Sequence, residues 1–339
     1  MRPTELAFYD YQLPDGLIAQ TPLKSRQDAR LLIVDRKAKS LRHDQFKNLA
    51  QYLPPSSFLV LNNSKVVPAR LLGTKSRTGG KVEILLLKRR SRPDTYEALL
   101  RPFRRIQPGE EIIFSNSSLR ATVIDPQQRL IRFNRKDVAS DLKKIGHMPL
   151  PPYIKRADDS QDREFYQTVY ARYAGSVAAP TAGLHFTEQH IRQLKRQGHK
   201  FGQATLHINH ATFKLITAPD IRQHLMHTEQ FSMSNSVYQK IKQAKQQKRK
   251  IVAVGTTSCR VLETVGLQGK FRGETNLFIF PGYDFRLTDC LLTNFHLPLS
   301  SLLMLVYAFG SSDLIKRAYQ EAIQQKYRFY SYGDAMLIV

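Results

Sequence analysis

Residues 178–187 read Ala-Ala-Pro-Thr-Ala-Gly-Leu-His-Phe-Thr. Pro180 and Gly183 punctuate a loop, and Thr187 stands where a hydroxyl caps a helix over the amphipathic run 188–197. Such a loop gathers free backbone N–H groups, the Thr181 hydroxyl and the His185 imidazole in a small space, which suits an anionic or charge-developing substrate. A tight turn with a satisfied histidine has the same sequence. Residues 255–260, Gly-Thr-Thr-Ser-Cys-Arg, follow the apolar strand 251–254. Glycine permits a sharp turn there, and Thr256, Thr257 or Ser258 can cap a helix expected from about 260 to 265, leaving N–H groups for a carboxylate or phosphate. An ordinary capped turn accounts for it equally. Residues 292–298, Leu-Thr-Asn-Phe-His-Leu-Pro, put Asn294 and His296 at the end of an apolar strand, where the imidazole can be an acid or base, or be satisfied by a backbone carbonyl. Residues 327–336 interleave five aromatics or methionines with Arg328 and Asp334; these can stack bases or pack as a last core strand.

The elements that must position these groups follow from hydrophobic period. Residues 30–35 and 58–62 are apolar runs of strand length, with a helical period over 44–53 between them. From 68 to 147 the texture changes to short strands at 82–87, 96–100, 111–114, 120–124 and 130–133, separated by Gly, Pro, Asn and Asp turns, which argues for a small barrel. A short helix over 137–145 leads out of it. Beyond the proline-rich residues 149–152 the alternation resumes, with a strand at 203–208, a basic helix at 236–250, and a buried helix ending the run 297–309. The expected fold class is therefore α/β: a mixed-sheet domain from residues 1–67 and 148–339, interrupted by an inserted small antiparallel β-barrel over 68–147.

Lys and Arg number 52 against 28 Asp and Glu in 339 residues, a formal charge of +24, so nucleic acid is the expected partner. Nothing at the start resembles a signal peptide, and the run 297–309 is too short to span a bilayer. A cytoplasmic monomer with no membrane role is expected. The two cysteines, Cys259 and Cys290, form no C-x-x-C pattern, and the His207-x-x-His210 and His224-x-x-His227 pairs lack companions, so no metal is expected.

Taken in order, Asn62-Asn63-Ser64-Lys65-Val66-Val67-Pro68-Ala69-Arg70, residues 146–153, Tyr166-Gln167-Thr168-Val169-Tyr170, residues 178–186, Gly255-Thr256-Thr257-Ser258, residues 293–298 and residues 330–336 resemble the S-adenosylmethionine:tRNA ribosyltransferase-isomerase family of queuosine biosynthesis. The resemblance implies transfer and isomerisation of the ribosyl part of S-adenosylmethionine onto 7-aminomethyl-7-deazaguanine at the tRNA wobble position, giving epoxyqueuosine, adenine and methionine. S-adenosylmethionine is then a consumed substrate, with no separate cofactor. That chemistry needs a base beside the sulfonium and donors for the sugar hydroxyls and the methionine carboxylate. His185, His296 and Asp334 are the candidate catalytic groups. Thr181 and Gly183 are expected at the reacting sugar with Asn294 facing it, and Thr256, Thr257 and Ser258 around an anionic group. Phosphate contacts are expected from Lys240, Lys242, Lys245, Lys248, Arg249 and Lys250 on the basic helix and from Arg89, Arg90, Arg104 and Arg105 on the barrel. A pure RNA-binding factor leaves the His, Thr and Asn groups unexplained, and a methyltransferase would need a glycine-rich loop after an early strand.

The family pattern has glycines on either side of a small residue just after 206–207, where this chain reads Ile208-Asn209-His210-Ala211-Thr212-Phe213. Ala tolerates the left-handed region poorly and His adds bulk. A reshaped working pocket is the expectation, with an inactive tRNA-binding relative as the alternative.

Overall fold

Runs such as Leu59-Val60-Leu61 and Val252-Ala253-Val254 have no polar face, so strands built from them must be covered on both sides. The computed structural model describes residues 2–339, apart from the side chains of Arg105, Ala211 and Phe213, and meets that demand with a nine-stranded mixed sheet. The chain begins with β1 (Arg30–Asp35), β2 (Ser40–Gln45), β3 (Phe58–Asn62) and the short β4 (Ser64–Val66). It then leaves the sheet for β5 (Arg70–Lys75), β6 (Lys81–Arg89), β7 (Thr95–Arg101), β8 (Glu111–Ile113), β9 (Arg120–Asp125) and β10 (Leu130–Phe133). These close into an antiparallel barrel in the order β10-β7-β6-β5-β8-β9, filled by residues such as Leu71, Ile84, Ala98, Ile112, Val123 and Ile131.

The return runs through α1 (Ala139–Ile145), α2 (Asp162–Phe165) and β11 (Tyr173–Ser176), which pairs with β4. Then come α3 (Glu188–Arg196), β12 (Lys200–Leu206), β13 (Glu229–Met233), α4 (Asn235–Gln246), β14 (Ile251–Val254), α5 (Thr256–Gln268), β15 (Arg272–Thr275), β16 (Cys290–Asn294), α6 (Ser301–Gly310), α7 (Ser312–Gln324) and β17 (Ala335–Ile338). The sheet order is β15-β13-β12-β3-β14-β16-β17-β1-β2. Its centre, β12, β3, β14 and β16, is parallel, whereas β17 runs against β16 and alongside β1. Successive side chains take opposite faces. Val60, Ala253, Leu291 and Met336 pack against α4 to α7, and Leu59, Leu61, Val252, Val254 and Leu337 against α3 and the turn Phe46–Gln51. No helix among the described residues is long and apolar enough to cross a membrane.

Three local expectations change. The helical period over 44–53 yields only a six-residue 3-10 turn, Phe46–Gln51, because residues 40–45 pair with β1. Asp44 ends that strand by accepting from the Gln45 amide at 2.7 Å, Asn48 at 2.7 Å and Tyr52 at 2.7 Å. Residues 70–75, too polar and glycine-broken to stand out, are a barrel strand. The helix after β14 begins at Thr256, since Gly255 (φ 89°) turns the chain in one residue.

The barrel's entry and exit segments are laced together. Arg70 and His147 exchange backbone hydrogen bonds of 3.3 and 2.7 Å, and a Cβ on Gly146 would sit 2.2 Å from the Pro68 carbonyl oxygen. Gly146→Ala therefore has to prise that neck apart, at a cost of about 2 kcal/mol. Urea unfolding should show a lower midpoint for the variant with an unchanged slope.

Candidate active site

Because β3, β14 and β16 run parallel, their carboxyl ends, where ligands bind in open α/β sheets, put Asn62, Gly255 and Asn294 on one edge. The antiparallel β17 brings residues 330–334 to the same edge, and the 178–183 loop covers it. Together they form a cleft whose lining includes Tyr153, Thr181, Thr256, Thr257, Asn294, His296, Tyr330 and Ser331. Five of the residues picked out from the sequence thus meet there. Thr187 caps α3, its Oγ1 accepting from the His190 amide at 3.1 Å, which fixes where the 178–183 loop ends. Thr256, Thr257 and Ser258 form the first turn of α5, whose cap is Gly255 and no hydroxyl. Thr257 Oγ1 accepts from Asn62 Nδ2 at 3.1 Å. Ser258 is fully buried, lies outside the cleft, and its Oγ has no partner among the described residues.

His296 is the imidazole that lines the cleft. Its Nε2 lies 2.6 Å from Thr293 Oγ1, its amide donates to the Tyr319 hydroxyl at 3.0 Å, and burial pushes it down to about 3. His185 stands one side chain behind. Its Nε2 is 3.2 Å from Asn294 Oδ1, and Asn294 Nδ2 donates to the Tyr330 carbonyl at 2.9 Å. Since Asn294 presents its oxygen, His185 Nε2 is the donor. Burial, foremost, holds His185 down to about 4, so both imidazoles are neutral near pH 7.

Gly183 is a packing residue. A Cβ there would lie 2.0 Å from the Tyr170 hydroxyl. Asp334 is buried and does not line the cleft. Its carboxylate accepts from the Arg30 amide at 2.8 Å and the Arg328 amide at 2.7 Å, so it ties the aromatic turn to the start of β1. Burial raises its pKa against those bonds. Its placement is that of a positioning residue.

The basic helix lies elsewhere. Lys248, Arg249 and Lys250 lead into the amino end of β14, a strand's length from the cleft at its carboxyl end, about 13 Å for four residues. Lys245 is engaged there with the Arg286 carbonyl at 2.9 Å, and Lys245 and Lys250 both face Asp289 at 3.9 Å. Lys240 and Arg249 border a groove beside α4, and Lys242 lies over the Tyr238 ring. On the barrel, Arg89 donates to the Pro93 carbonyl at 2.9 Å, Arg90 pairs with Glu97 at 2.9 Å, Arg104 is exposed, and the Arg105 side chain lies outside the described residues.

Sequence reasoning missed a large basic cavity. It opens between the barrel and the sheet, lined by Arg70, Arg101, Pro149, Lys155, Arg156 and His210 among others. Arg70 and Arg156 are held by Glu83 at 2.9 Å and Asp162 at 2.7 Å, while Arg101 is exposed. His210 is held low by burial first and then by the charges of Arg101, Lys214 and Arg129. The 208–213 loop, where the glycines of the family pattern are replaced, joins the cavities. Ile208 and Thr212 line the cleft, His210 the basic cavity, and Asn209 and Thr212 a third. Asn62 was quoted within a motif but given no role at the site, although an asparagine closing a fully apolar strand is a readable signal. Tyr153 and Ser331, joined at 2.6 Å, come from segments 178 residues apart, a separation that leaves no local mark in the sequence.

A family model described as "Queuosine biosynthesis protein" matches residues 6–338. A relative from Sulfurihydrogenibium sp. (strain YO3AOP1), named S-adenosylmethionine:tRNA ribosyltransferase-isomerase, is 46% identical over 336 residues, covering 99% of this chain and 100% of that protein. One of the same name from Natranaerobius thermophilus is 45% identical over 342 residues, covering 98% and 99%. Among solved structures, the S-adenosylmethionine tRNA ribosyltransferase of Thermotoga maritima is 34% identical with a TM-score of 0.57, over 98% of this chain and 100% of that one.

The buried imidazoles carry a pH signature. His185 and His190 fall from 6.5 to about 4 and His296 to about 3. Between those values and 6.5 the unfolded chain binds more protons than the folded one, so stability is full above pH 6.5, declines as pH falls from 6.5 toward the folded values, and levels off below them. Changes of that size correspond to roughly 3 to 5 kcal/mol per group at most. Melting temperature should drop steeply between pH 6.5 and 4, and His185→Gln should flatten part of that drop.

Proposed function

The chain belongs to the queuosine biosynthesis family, and on that basis we propose that its cleft carries out S-adenosylmethionine:tRNA ribosyl transfer and isomerisation. The ribosyl part of S-adenosylmethionine goes to the aminomethyl nitrogen of a 7-aminomethyl-7-deazaguanine in tRNA, and adenine and methionine leave. S-adenosylmethionine is consumed, so no resident cofactor is required, and a tRNA substrate makes the cytoplasm the place of work. The observation that carries this reading is the convergence of Thr181, Thr256, Thr257, Asn294 and His296 on one cleft at the carboxyl edge of the sheet.

His296 is the best-placed base. Burial keeps it neutral, and Thr293 holds its Nε2. Removing a proton from the carbon beside the sulfonium leaves a carbanion next to the positive sulfur. The imidazolium so formed then has a negative partner in a site that disfavours an isolated charge. Opening of the sugar expels adenine, whose departing nitrogen takes up the proton held by the imidazolium; the amine attacks the opened carbon chain and gives up one proton to solvent, and the adjacent oxygen closes an epoxide as methionine departs. Thr181, Thr256 and Thr257 supply hydroxyls for the sugar oxygens. His185 acts through Asn294, whose orientation it fixes.

The cavity between barrel and sheet, with exposed Arg101 and Lys155 at its rim, supports entry of the anticodon from that side. The cations that act on His210 focus positive potential where the base must pass. The α4 lysines, at the opposite edge, are left to contact more distant phosphates. The full-length similarity to proteins bearing an enzyme's name favours a working pocket over an inactive relative, despite residues 209–211.

The deciding experiment combines purified protein, S-adenosylmethionine and tRNA carrying the 7-aminomethyl base. Adenine and methionine should appear in step with a mass gain on the wobble nucleoside, and folded protein that gives neither refutes the reading. His296→Gln should lower kcat by about a hundredfold or more with tRNA affinity retained.

The tRNA path has its own test. Neutralising Arg101 and Lys155 should weaken tRNA binding and reduce its salt dependence by about one counterion per charge. The same change at Lys242 and Lys248 should do less, as filter binding across a salt series will report.

A further inference from the structure

A second cavity adjoins the cleft and shares Thr212 and Leu302 with it. Its lining includes Arg260 and Glu229, only 4% and 5% exposed. Arg260 Nη1 donates to Glu229 Oε2 and its Nε to the Leu277 carbonyl at 3.1 Å, but Nη2 has no partner among the described residues. Glu229 Oε1 accepts from the Asn209 amide at 3.1 Å and Thr212 Oγ1 at 3.2 Å. With Arg260 on Oε2, that leaves about one of a carboxylate's four lone-pair sites open.

A buried ion pair is seldom a net source of stability, and a buried donor left unmet is costly. Here both occur on one arginine. Thr256 and Thr257 precede Arg260 by four and three residues on α5, so all three lie along one side of the helix. The step from the cleft to Arg260 is about one helical turn, ~5.4 Å, which matches the short methylene chain between a sulfonium and its α-amino acid group. That group is a zwitterion, and the cavity offers an unmet cationic donor beside a carboxylate. A phosphate would bring more negative charge against Glu229 and has nothing to offer its open lone pair.

We propose that this second cavity seats the amino-acid end of S-adenosylmethionine, with the α-carboxylate on Arg260 Nη2 and the α-ammonium facing Glu229. The assignment rests on the S-adenosylmethionine reading of the cleft. It moves the anion from the first turn of α5, where Ser258 is sealed off, to the second.

Two nucleosides isolate the contact: S-adenosylhomocysteine, which keeps the amino-acid end, and 5′-methylthioadenosine, which lacks it. Calorimetry on the native protein should find S-adenosylhomocysteine tighter by about tenfold or more, the worth of a charge-assisted hydrogen bond. Arg260→Lys should erase most of that preference by weakening only S-adenosylhomocysteine, a selective loss that a general structural defect does not give. An unchanged preference in the folded variant overturns the proposal. Should the variant not fold, a crystal structure of the native protein with S-adenosylhomocysteine decides: a carboxylate within hydrogen-bond distance of Arg260 supports it, and one elsewhere overturns it. Adenine release by the native protein tells the two levels apart. If it occurs while the preference is absent, only this assignment falls; if neither nucleoside binds and no adenine forms, the functional reading falls with it.

Discussion

One buried carboxamide organises the sheet edge on which the cleft opens. Asn62, at the end of β3, donates through Nδ2 to the Leu206 carbonyl at 3.2 Å and to Thr257 Oγ1 at 3.1 Å, and its Oδ1 accepts from the Leu206 and Ser64 amides at 3.1 Å. A single side chain thereby ties the ends of β3 and β12, the start of β4 and the first turn of α5. Every side-chain polar atom it has is used inside the protein at a fully buried position, so an apolar replacement would strand four groups at once. The direction in which Thr257 points follows from this contact, and with it the rim of the cleft.

The same logic recurs across the sheet. Asn294 at the end of β16 receives His185 and holds the carbonyls of Tyr330 and Ser331, and Asp334 binds the amides of Arg30 and Arg328. Strands buried on both faces have nowhere to put a polar side chain except at their ends, so the ends become the polar edge. Selection for a fully apolar sheet and selection for a polar cleft are thus compatible within the same few residues. Neutral imidazoles fit this setting, since an apolar sheet end tolerates a hydrogen-bonding ring far better than a charge.

What the sequence discloses follows from which interactions are local. Apolar strands, the inserted barrel and the Thr, Asn and His groups at strand ends were readable, because two-sided burial and turn chemistry leave marks within a few residues. The edge strand β2 and barrel strand β5 were not, since both are polar on one side and owe their existence to partners far along the chain. Charge runs say nothing about which edge of a sheet they occupy, so the phosphate contacts expected of the α4 lysines carried no information on their distance from the cleft. The Glu229–Arg260 pair was invisible for a similar reason: an arginine in the middle of an apolar helix announces that it must be paired, but its partner lies 31 residues away on another element. Asp334 was a candidate catalytic group by residue type, and the two amides aimed at it, from residues 6 and 304 positions away, are contacts that only the fold displays.

The position of β17 between β16 and β1 has a consequence for how the molecule is made. Leu31 lies against Ala335 and Val34 against Ile338, contacts separated by some three hundred residues, and the β1–β2 ribbon joins the remaining sheet strands through β17 alone. During synthesis the barrel can complete itself as soon as it emerges, while β1 must wait with an apolar edge unpaired until the final strand arrives. Closure of the sheet is therefore a late event, and the waiting hairpin is the segment through which half-made chains would find one another.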